Sequence, residues 1–171
     1  MESFLPKGYE VPKTPGLYMK LEQGDNKFRI LSPAITGFEF WTAENKPVRV
    51  KEYPNTLPAN IRPDSKIKHF WAFIVWNYKD SAVQILEITQ ATIQQMVNDL
   101  VISSEWGNPL GYDITIARKG EKLETEYTVR PSPHKEVAKD VKKKFEETDI
   151  KLDALFEGKD PAFDPKDVPF P

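Results

Sequence analysis

Short segments with strand-like hydrophobic patterns dominate the first half of the chain. Apolar residues alternate with basic ones in residues 27–31 and 47–53, which is the period of two that predicts a half-buried β-strand. Ile35–Trp41 is a further predicted strand, and the short polar connection after it predicts a hairpin with residues 47–53. Residues 69–78 are apolar or aromatic at nearly every position, which is typical of a strand covered on both faces or of one whose second face binds a ligand. Ala82–Ile88 is its predicted partner.

Helical spacing follows these strands. Apolar residues keep an i, i+3, i+4, i+7 pattern within residues 89–102 and predict an amphipathic helix with Thr89 as its N-cap. Two strands, residues 112–118 and 123–130, then form a predicted hairpin. A charged helix is expected over residues 134–147.

The order of these elements is that of a small Greek-key barrel in which a helix precedes the closing strands. The predicted fold class is therefore mainly β: an OB-like β-barrel of five or more antiparallel strands, with one central helix and a C-terminal helix. A generic α+β sandwich would give the same order. We expect an irregular leader over residues 1–26, the barrel over 27–132, a helical segment over 133–156 and an acidic, flexible tail over 157–171.

Composition excludes several kinds of chemistry. The 171 residues include no cysteine, so disulfides, cysteine zinc sites and thiol nucleophiles are excluded, and a reducing cytoplasm is permitted. No apolar run approaches the roughly 20 residues of a membrane span, and the first residues lack the layout of a signal peptide. The two histidines are far apart and no glycine-rich phosphate motif occurs. We therefore expect a non-catalytic cytoplasmic protein with no cofactor and no metal.

Charge is unevenly distributed along the chain. The net charge is −2, but residues 145–171 hold eight acidic residues against three lysines, so the remaining body is net positive. Residues 44–79 hold seven basic residues against three acidic ones. This distribution predicts a basic surface followed by an acidic tail. Solvated faces of mixed sign are the alternative interpretation.

Aromatic residues are interleaved with this basic region. Proteins that bind single strands need a basic groove that follows the phosphates and aromatic faces on which bases stack. The predicted DNA-binding residues combine both kinds of side chain: Arg29, Trp41, Lys46, Arg49, Lys51, Tyr53, Arg62, Lys66, Lys68 and Trp71. Packing in the core is the competing interpretation for each ring, and the most core-like surroundings are those of Phe28, Phe70 and Trp76.

Several phrases of the sequence are similar to a known family. FLPKGYEVP near the start, FWAFIVWNY, ILEITQATI, LETEYTV and LDALFEG resemble the small single-stranded DNA-binding proteins of tailed bacteriophages, over about residues 4–158. The resemblance implies an OB-fold that coats single strands during phage DNA replication, recombination and repair. It also implies an acidic C-terminus that contacts replication or recombination proteins and competes with DNA for the basic groove.

The last residues form a second predicted site, for a partner protein. They are similar to the acid-rich Pro-Phe terminus of bacterial single-strand binding proteins, and the set consists of Asp164, Asp167, Val168, Pro169 and Phe170. In those proteins the final phenylalanine docks together with its free carboxylate, whereas here Pro171 follows Phe170. An inert, solubilising end is the alternative interpretation.

Two rival functions remain open from the sequence. A protein-interaction β-barrel would use the aromatic strand and the proline-rich loop after residue 53 to dock a phage replication or structural protein. It would show no salt-dependent affinity for oligonucleotides. An RNA binder of the same fold would be distinguished by direct competition of DNA with RNA.

Overall fold

One antiparallel β-sheet organises the chain in the computed structural model, which describes residues 2–11 and 15–162. The strands are β1 (Gly24–Ile30), β2 (Ile35–Trp41), β3 (Pro47–Val50), β4 (Lys68–Asn77), β5 (Ala82–Ile88), β6 (Asp113–Lys119) and β7 (Glu126–Pro131). The helices are α1 (Ala91–Ile102) and α2 (Lys139–Glu147), with short 3₁₀ segments at Pro109–Gly111, Lys122–Glu124 and Leu152–Glu157. The prediction of a mainly β fold with one central and one C-terminal helix is confirmed.

The strands pair in the order β3–β2–β4–β1–β6–β7, and β5 pairs with the other edge of β4. β4 is the longest strand, so its first half can pair with β2 and its last residues with β1 along the same edge. Among the described residues the sheet does not close into the expected barrel, because β3 has only four residues and β7 pairs with β6 alone. The strand-rich arrangement is compatible with an OB-like fold.

One face of the sheet, named the α1 face, is covered by the first helix. Ile93 and Val97 lie four residues apart on one side of α1 and belong to the same buried cluster as Phe28, Phe73 and Ile114. This spacing is the helical period that the sequence pattern predicted. Burying each such side chain stabilises the fold by about 1.5–3 kcal/mol.

The opposite face, named the α2 face, is covered by the C-terminal segment. Phe70 of β4 and Ile85 of β5 are buried beneath Leu152 and Leu155. The packing continues beyond residue 156, because Pro161 is buried and its carbonyl oxygen accepts a hydrogen bond from the chain at residue 151. The expected boundary between the folded segment and the tail therefore lies too early in the chain.

Several predicted boundaries differ from the observed ones. β1 begins at Gly24, inside the stretch expected as leader, and the leader itself reaches β5, where the Met19 N–H donates to the Ile85 carbonyl oxygen at 2.9 Å. β3 ends at Val50, three residues before the predicted end. Thr89 is not the N-cap of α1, since Gln90 occupies that position and makes no side-chain cap hydrogen bond. None of the helices in the described ranges has the length and apolar character needed to cross a bilayer.

Candidate nucleic-acid interface

A pocket lined by one exposed tryptophan and three basic residues lies where β2 ends and β4 begins. Trp41 is the last residue of β2 and is 37% exposed. We name this pocket, of about 320 Å³, the basic pocket; its walls are Glu39, Trp41, Arg62, Asp64, Ser65, Lys66, Lys68 and Thr89. The structure thus brings together four of the predicted DNA-binding residues: Trp41, Arg62, Lys66 and Lys68.

The proline-rich loop over residues 54–67 forms one wall of the basic pocket because it is hydrogen-bonded to the end of β2. The Arg62 N–H donates to the Trp41 carbonyl oxygen at 2.8 Å. The Trp41 N–H in turn donates to Ser65 Oγ at 2.9 Å. An isolated antiparallel bridge joins Thr42 to Ile61. These bonds on both sides of Trp41 hold the loop against the strand.

The electrostatics of the basic pocket favour an anion beside an aromatic ring. The Arg62 guanidinium carbon lies 5.9 Å from the centre of the Trp41 ring, and Arg62 Nε is 2.5 Å from Asp64 Oδ1. Lys66 and Lys68 are exposed, and neither forms an ion pair with any residue in the described ranges. The pocket therefore offers two free ammonium groups next to an exposed π face.

Glu39, at the base of the basic pocket, belongs to a buried cluster with Arg49 and Glu87. Arg49 Nε donates to Glu39 Oε2 at 3.0 Å, and Arg49 Nη2 donates to Glu87 Oε2 at 2.7 Å. Burial first, and then the neighbouring Glu87 carboxylate, raises the pKa of Glu39 to about 8. One guanidinium compensates only one of the two carboxylates, so the raised pKa reduces the negative charge that Glu39 contributes to the pocket.

Arg49 itself was predicted to contact phosphate, but in the structure its guanidinium is bound to Glu39 and Glu87. Its side chain is only 13% exposed and both of its observed partners are carboxylates within the fold. The alternation along β3 placed Arg49 on the face opposite Val48 and Val50, as observed. That face is the α2 face, and the sequence pattern did not show that the C-terminal segment covers it.

A row of rings lies on the α1 face of the same strands. Phe38 and His69 are opposite each other in the β2–β4 ladder, with ring centres 5.1 Å apart. Tyr53 meets Phe38 edge to face at 5.4 Å and is 60% exposed. Trp71 follows His69 by two residues and therefore projects from the same face. We name these four residues, Tyr53, Phe38, His69 and Trp71, the aromatic row.

Trp71 closes the aromatic row against the body of the protein. It is half-buried, packs against the cluster beneath α1 and lines a second cavity of about 430 Å³ between β4 and the helix. Val97 and Val101 of α1 form the facing wall. Trp71 is therefore less accessible than the sequence analysis expected, and Tyr53 is the more open ring of the row.

The basic pocket and the aromatic row meet at the start of β4. Lys68 and His69 are consecutive residues, and side chains of consecutive residues in a strand project to opposite faces. Lys68 pairs with Glu39 and lies on the α2 face, whereas His69 pairs with Phe38 and lies on the α1 face. The predicted residues thus occupy two surfaces that share one end of the sheet, and not a single groove.

Arg29, a predicted DNA-binding residue, belongs to neither surface because its side chain is bound inside the fold. It is almost fully buried, with Nη1 3.4 Å from Asp113 Oδ1. Its Nη2 donates to the carbonyl oxygens of Leu110 at 3.0 Å and Lys135 at 2.6 Å. The alternation in β1 showed that Arg29 points away from Phe28, but it gave no information on what covers the opposite face.

The remaining predicted residues lie apart from the basic pocket. Lys46 is exposed in the turn between β2 and β3, and the Lys51 ammonium lies 5.5 Å from the centre of the Phe156 ring. Neither lysine lines the basic pocket. The predicted tail site, residues 164 and 167–170, lies outside the described residues.

Phe38 and His69 are the residues of this interface that the sequence analysis missed. His69 precedes Trp71 by two residues, so a period of two already placed the two side chains on one face. Phe38 joins them only through the register between β2 and β4, which pairs it with His69. The first signal was present in the sequence, whereas the second depends on tertiary pairing.

Comparison with known proteins identifies no relative of this chain. No protein-family model matches the sequence, and no curated protein or solved structure shows significant similarity to it. In the described ranges, no group of three or more histidine, cysteine, aspartate or glutamate side chains is placed to hold a metal ion.

Proposed function

We propose that this protein binds single-stranded DNA and catalyses no reaction. The observation that carries the proposal is the basic pocket, where the exposed Trp41 ring stands beside the free ammonium groups of Lys66 and Lys68. An unpaired base offers a π face and its phosphate offers a negative charge, so a single strand matches both features of the pocket. In a duplex the base faces are already stacked and paired.

Phosphates bind in the basic pocket. Lys66 and Lys68 supply ammonium groups that no acid of the described chain neutralises. Arg62 is bonded to Asp64 at the surface, and exposed pairs of this kind contribute about 0–1 kcal/mol, so a phosphate oxygen can compete for the guanidinium. Binding then releases counterions and weakens as the salt concentration rises.

Bases stack on Trp41 and on the aromatic row. Tyr53 is 60% exposed, and His69 and Phe38 extend the surface along the α1 face. Each base–aromatic stack contributes about 1–3 kcal/mol, and every base has a π face. The protein therefore discriminates little among DNA sequences.

The biological setting of the proposal comes from the sequence resemblance to phage proteins. In that setting the protein coats single strands in the host cytoplasm during phage replication, recombination and repair, and residues 164–170 bind a replication or recombination protein. Deleting residues 168–171 should then weaken that partner's binding. Unchanged partner affinity after the deletion would remove the tail from the proposal and leave DNA binding standing.

The decisive experiment is a tryptophan fluorescence titration with oligo-dT at low and moderate salt, with duplex DNA as control. We expect quenching by the single strand, reversal by salt and little effect of the duplex. Because the chain has four tryptophans, the titration is repeated with Trp41→Phe, which should lose much of the quenching. Absence of quenching, together with no shift of labelled oligo-dT in a mobility assay, would overturn the proposal.

A protein-docking function is the second candidate, and one observation favours it. The cavity between β4 and α1 is lined mainly by apolar side chains, and Val101 and Ile102 at the end of α1 are exposed beside it. Apolar surface of this kind is typical of a site for another protein. Such a module would leave oligo-dT unbound at every salt concentration, so the same titration separates the two functions.

A further inference from the structure

Among the described residues β7 is an edge strand of the sheet, and α1 packs beside it on one face. β7 pairs with β6 on one side and ends the strand order on the other. The other edges differ from it: the leader is hydrogen-bonded to β5 at Ile85, and β3 has only four residues. An open edge of six residues presents unpaired backbone donors and acceptors, which makes it a template for another strand.

The backbone groups that point outward from β7 belong to Tyr127 and Val129. The Ser132 N–H donates to the Asp113 carbonyl oxygen at 2.9 Å, so these opposite residues form a hydrogen-bonded pair of the β6–β7 ladder. Along an antiparallel ladder, hydrogen-bonded pairs alternate with pairs that are not hydrogen-bonded. Counting back from Ser132, the backbone groups of Arg130, Thr128 and Glu126 therefore bond to β6, and those of Tyr127 and Val129 point to the open edge. Pro131 has no N–H and ends the row of donors.

The side chains of β7 are self-complementary about Thr128. Glu126 precedes this threonine by two residues and Arg130 follows it by two. When two copies of β7 pair antiparallel with their Thr128 residues opposite each other, each Glu126 faces Arg130 of the other copy. In the same register Tyr127 faces Val129 of the other copy, and their outward-pointing backbone groups form hydrogen-bonded pairs on both sides of the two-fold axis.

We propose that the protein forms a two-fold symmetric dimer through β7, which joins two sheets edge to edge. An interface of this type uses the same surface on both copies, as the pattern about Thr128 requires. Arg130 is exposed and bonded to Asp25 at 2.9 Å, and a guanidinium with five donors can bind a second carboxylate. Charged residues that serve only to prevent edge pairing can have any sign and any spacing. Glu126 and Arg130 instead carry opposite charges at equal distances from Thr128, which is the arrangement that matches a second copy of this strand.

The dimer goes beyond the proposed DNA binding and does not depend on it. β7 is at one end of the strand order, whereas β2 and the start of β4, which carry the basic pocket and the aromatic row, are near the other. Association through β7 therefore uses none of the residues that line the basic pocket or form the aromatic row.

Sedimentation equilibrium of the full-length chain over a concentration series at low salt tests the dimer. We expect a monomer–dimer equilibrium in which Glu126→Arg raises the dissociation constant about tenfold, because two attractive pairs become repulsive. Adding Arg130→Glu to the same chain reverses both signs and should restore dimerisation. Glu124→Arg is the matched control: it makes the same charge change at an exposed residue outside β7 and should have little effect.

A backbone variant tests the register without changing charge. Val129→Pro removes an outward-pointing donor but no bond to β6, and edge strands accept proline at such positions. It should give a folded monomer, as judged by circular dichroism. The proposal is overturned if the wild type is monomeric at every concentration, or if its dissociation constant is unchanged by both Glu126→Arg and Val129→Pro. A dimer that is lost only on deleting residues 163–171 would place the interface in that segment.

Discussion

Arg29 and Asp113 form an ion pair in the interior of the sheet, with Arg29 Nη1 3.4 Å from Asp113 Oδ1 and side chains 2% and 0% exposed. The Tyr78 hydroxyl donates to the same carboxylate oxygen at 2.8 Å, and Lys27 and Lys135 approach Oδ2 at 3.8 and 3.3 Å. Burial, followed by the hydrogen bond with Asp113, raises the pKa of Tyr78 to about 12. This cluster joins β1 and β6 to the segment that leads into α2.

Removing the charge of Asp113 should destabilise the protein strongly. In Asp113→Asn the Arg29 guanidinium stays buried without a counter-charge, so we expect the free energy of unfolding to fall by about 3–5 kcal/mol, measured by urea denaturation. Glu157→Gln is the control, because it breaks an exposed pair with Lys159 and should cost less than about 1 kcal/mol. Equal losses in the two variants would show that the interior pair is not needed for stability.

The exposed rings should carry much of the affinity for single strands. Trp41→Ala and Tyr53→Ala each remove a stacking surface, so each should weaken binding of labelled oligo-dT by about 1–3 kcal/mol in an anisotropy titration. Tyr9→Ala removes a ring of comparable exposure in the leader and should leave affinity unchanged. A loss of affinity in Tyr9→Ala as large as that in Tyr53→Ala would argue against a localised interface.

The two free lysines of the basic pocket should set part of the salt dependence. Replacing both Lys66 and Lys68 with glutamine should lower affinity and reduce the slope of log affinity against log salt by about 1.4, since each phosphate contact on a single strand contributes about 0.7. The matched control replaces Lys119 and Lys122, two exposed lysines at the β6–β7 turn, in the same way. If both double variants change the slope equally, binding is a general effect of charge.

The buried Glu39 should make stability depend on pH. Its pKa is raised from 4.5 to about 8, so between these values the native state binds more protons than the unfolded chain. The contribution of this group to the free energy of unfolding therefore falls as pH rises from about 5 to 8, with a slope of at most about 1.4 kcal/mol per pH unit. Glu39→Gln cannot titrate, and its unfolding free energy should fall less over this range.

The measurement is urea denaturation at several pH values between 5 and 9. Glu44→Gln, which removes an exposed glutamate in the turn after β2, should reproduce the wild-type pH profile. Parallel profiles for the wild type and Glu39→Gln would show that Glu39 is already ionised throughout this range.

Gly37 should tolerate no side chain. A Cβ at this position would lie 2.4 Å from the Val50 carbonyl oxygen and 3.0 Å from the rings of Phe70 and Phe156. Gly37→Ala should therefore lower the free energy of unfolding by about 1–3 kcal/mol, seen as a lower midpoint in thermal denaturation. Gly16→Ala is the control, because no atom lies within 4 Å of its Cβ position. A similar effect in both variants would contradict the crowding at Gly37.

Local patterns predicted the strands well and their surroundings less well. Ile35–Trp41 and Ala82–Ile88 were predicted with their observed limits, and a period of two in residues 27–31 and 47–53 marked two further strands, because such patterns are properties of each segment alone. The same period placed Arg29 and Arg49 opposite apolar neighbours and suggested that both were exposed. Their environment depends on distant parts of the chain, Asp113 for Arg29 and the C-terminal segment for Arg49, which no local pattern encodes.

The candidate interface was predictable in its composition and not in its layout. The stretch from Trp41 to Trp71, which is dense in basic and aromatic residues, contains most of the residues of both surfaces, whereas Phe38 precedes it. Their division between two faces follows from the pairing of Lys68 with Glu39 and of His69 with Phe38. That pairing depends on the register between β2 and β4, which is a tertiary property.

The hydrogen bonds that hold residues 54–67 to the end of β2 affect how fast a ligand can be captured. Arg62 and Ser65 are bonded to the backbone of Trp41 in the protein alone, so the wall of the basic pocket loses its conformational freedom during folding and not during binding. A preorganised site needs no slow rearrangement after encounter, and its charge accelerates the approach of a polyanion. Association should therefore be limited by diffusion and ionic strength, and differences in affinity among variants that keep the charge of the pocket should appear mainly as differences in dissociation rate.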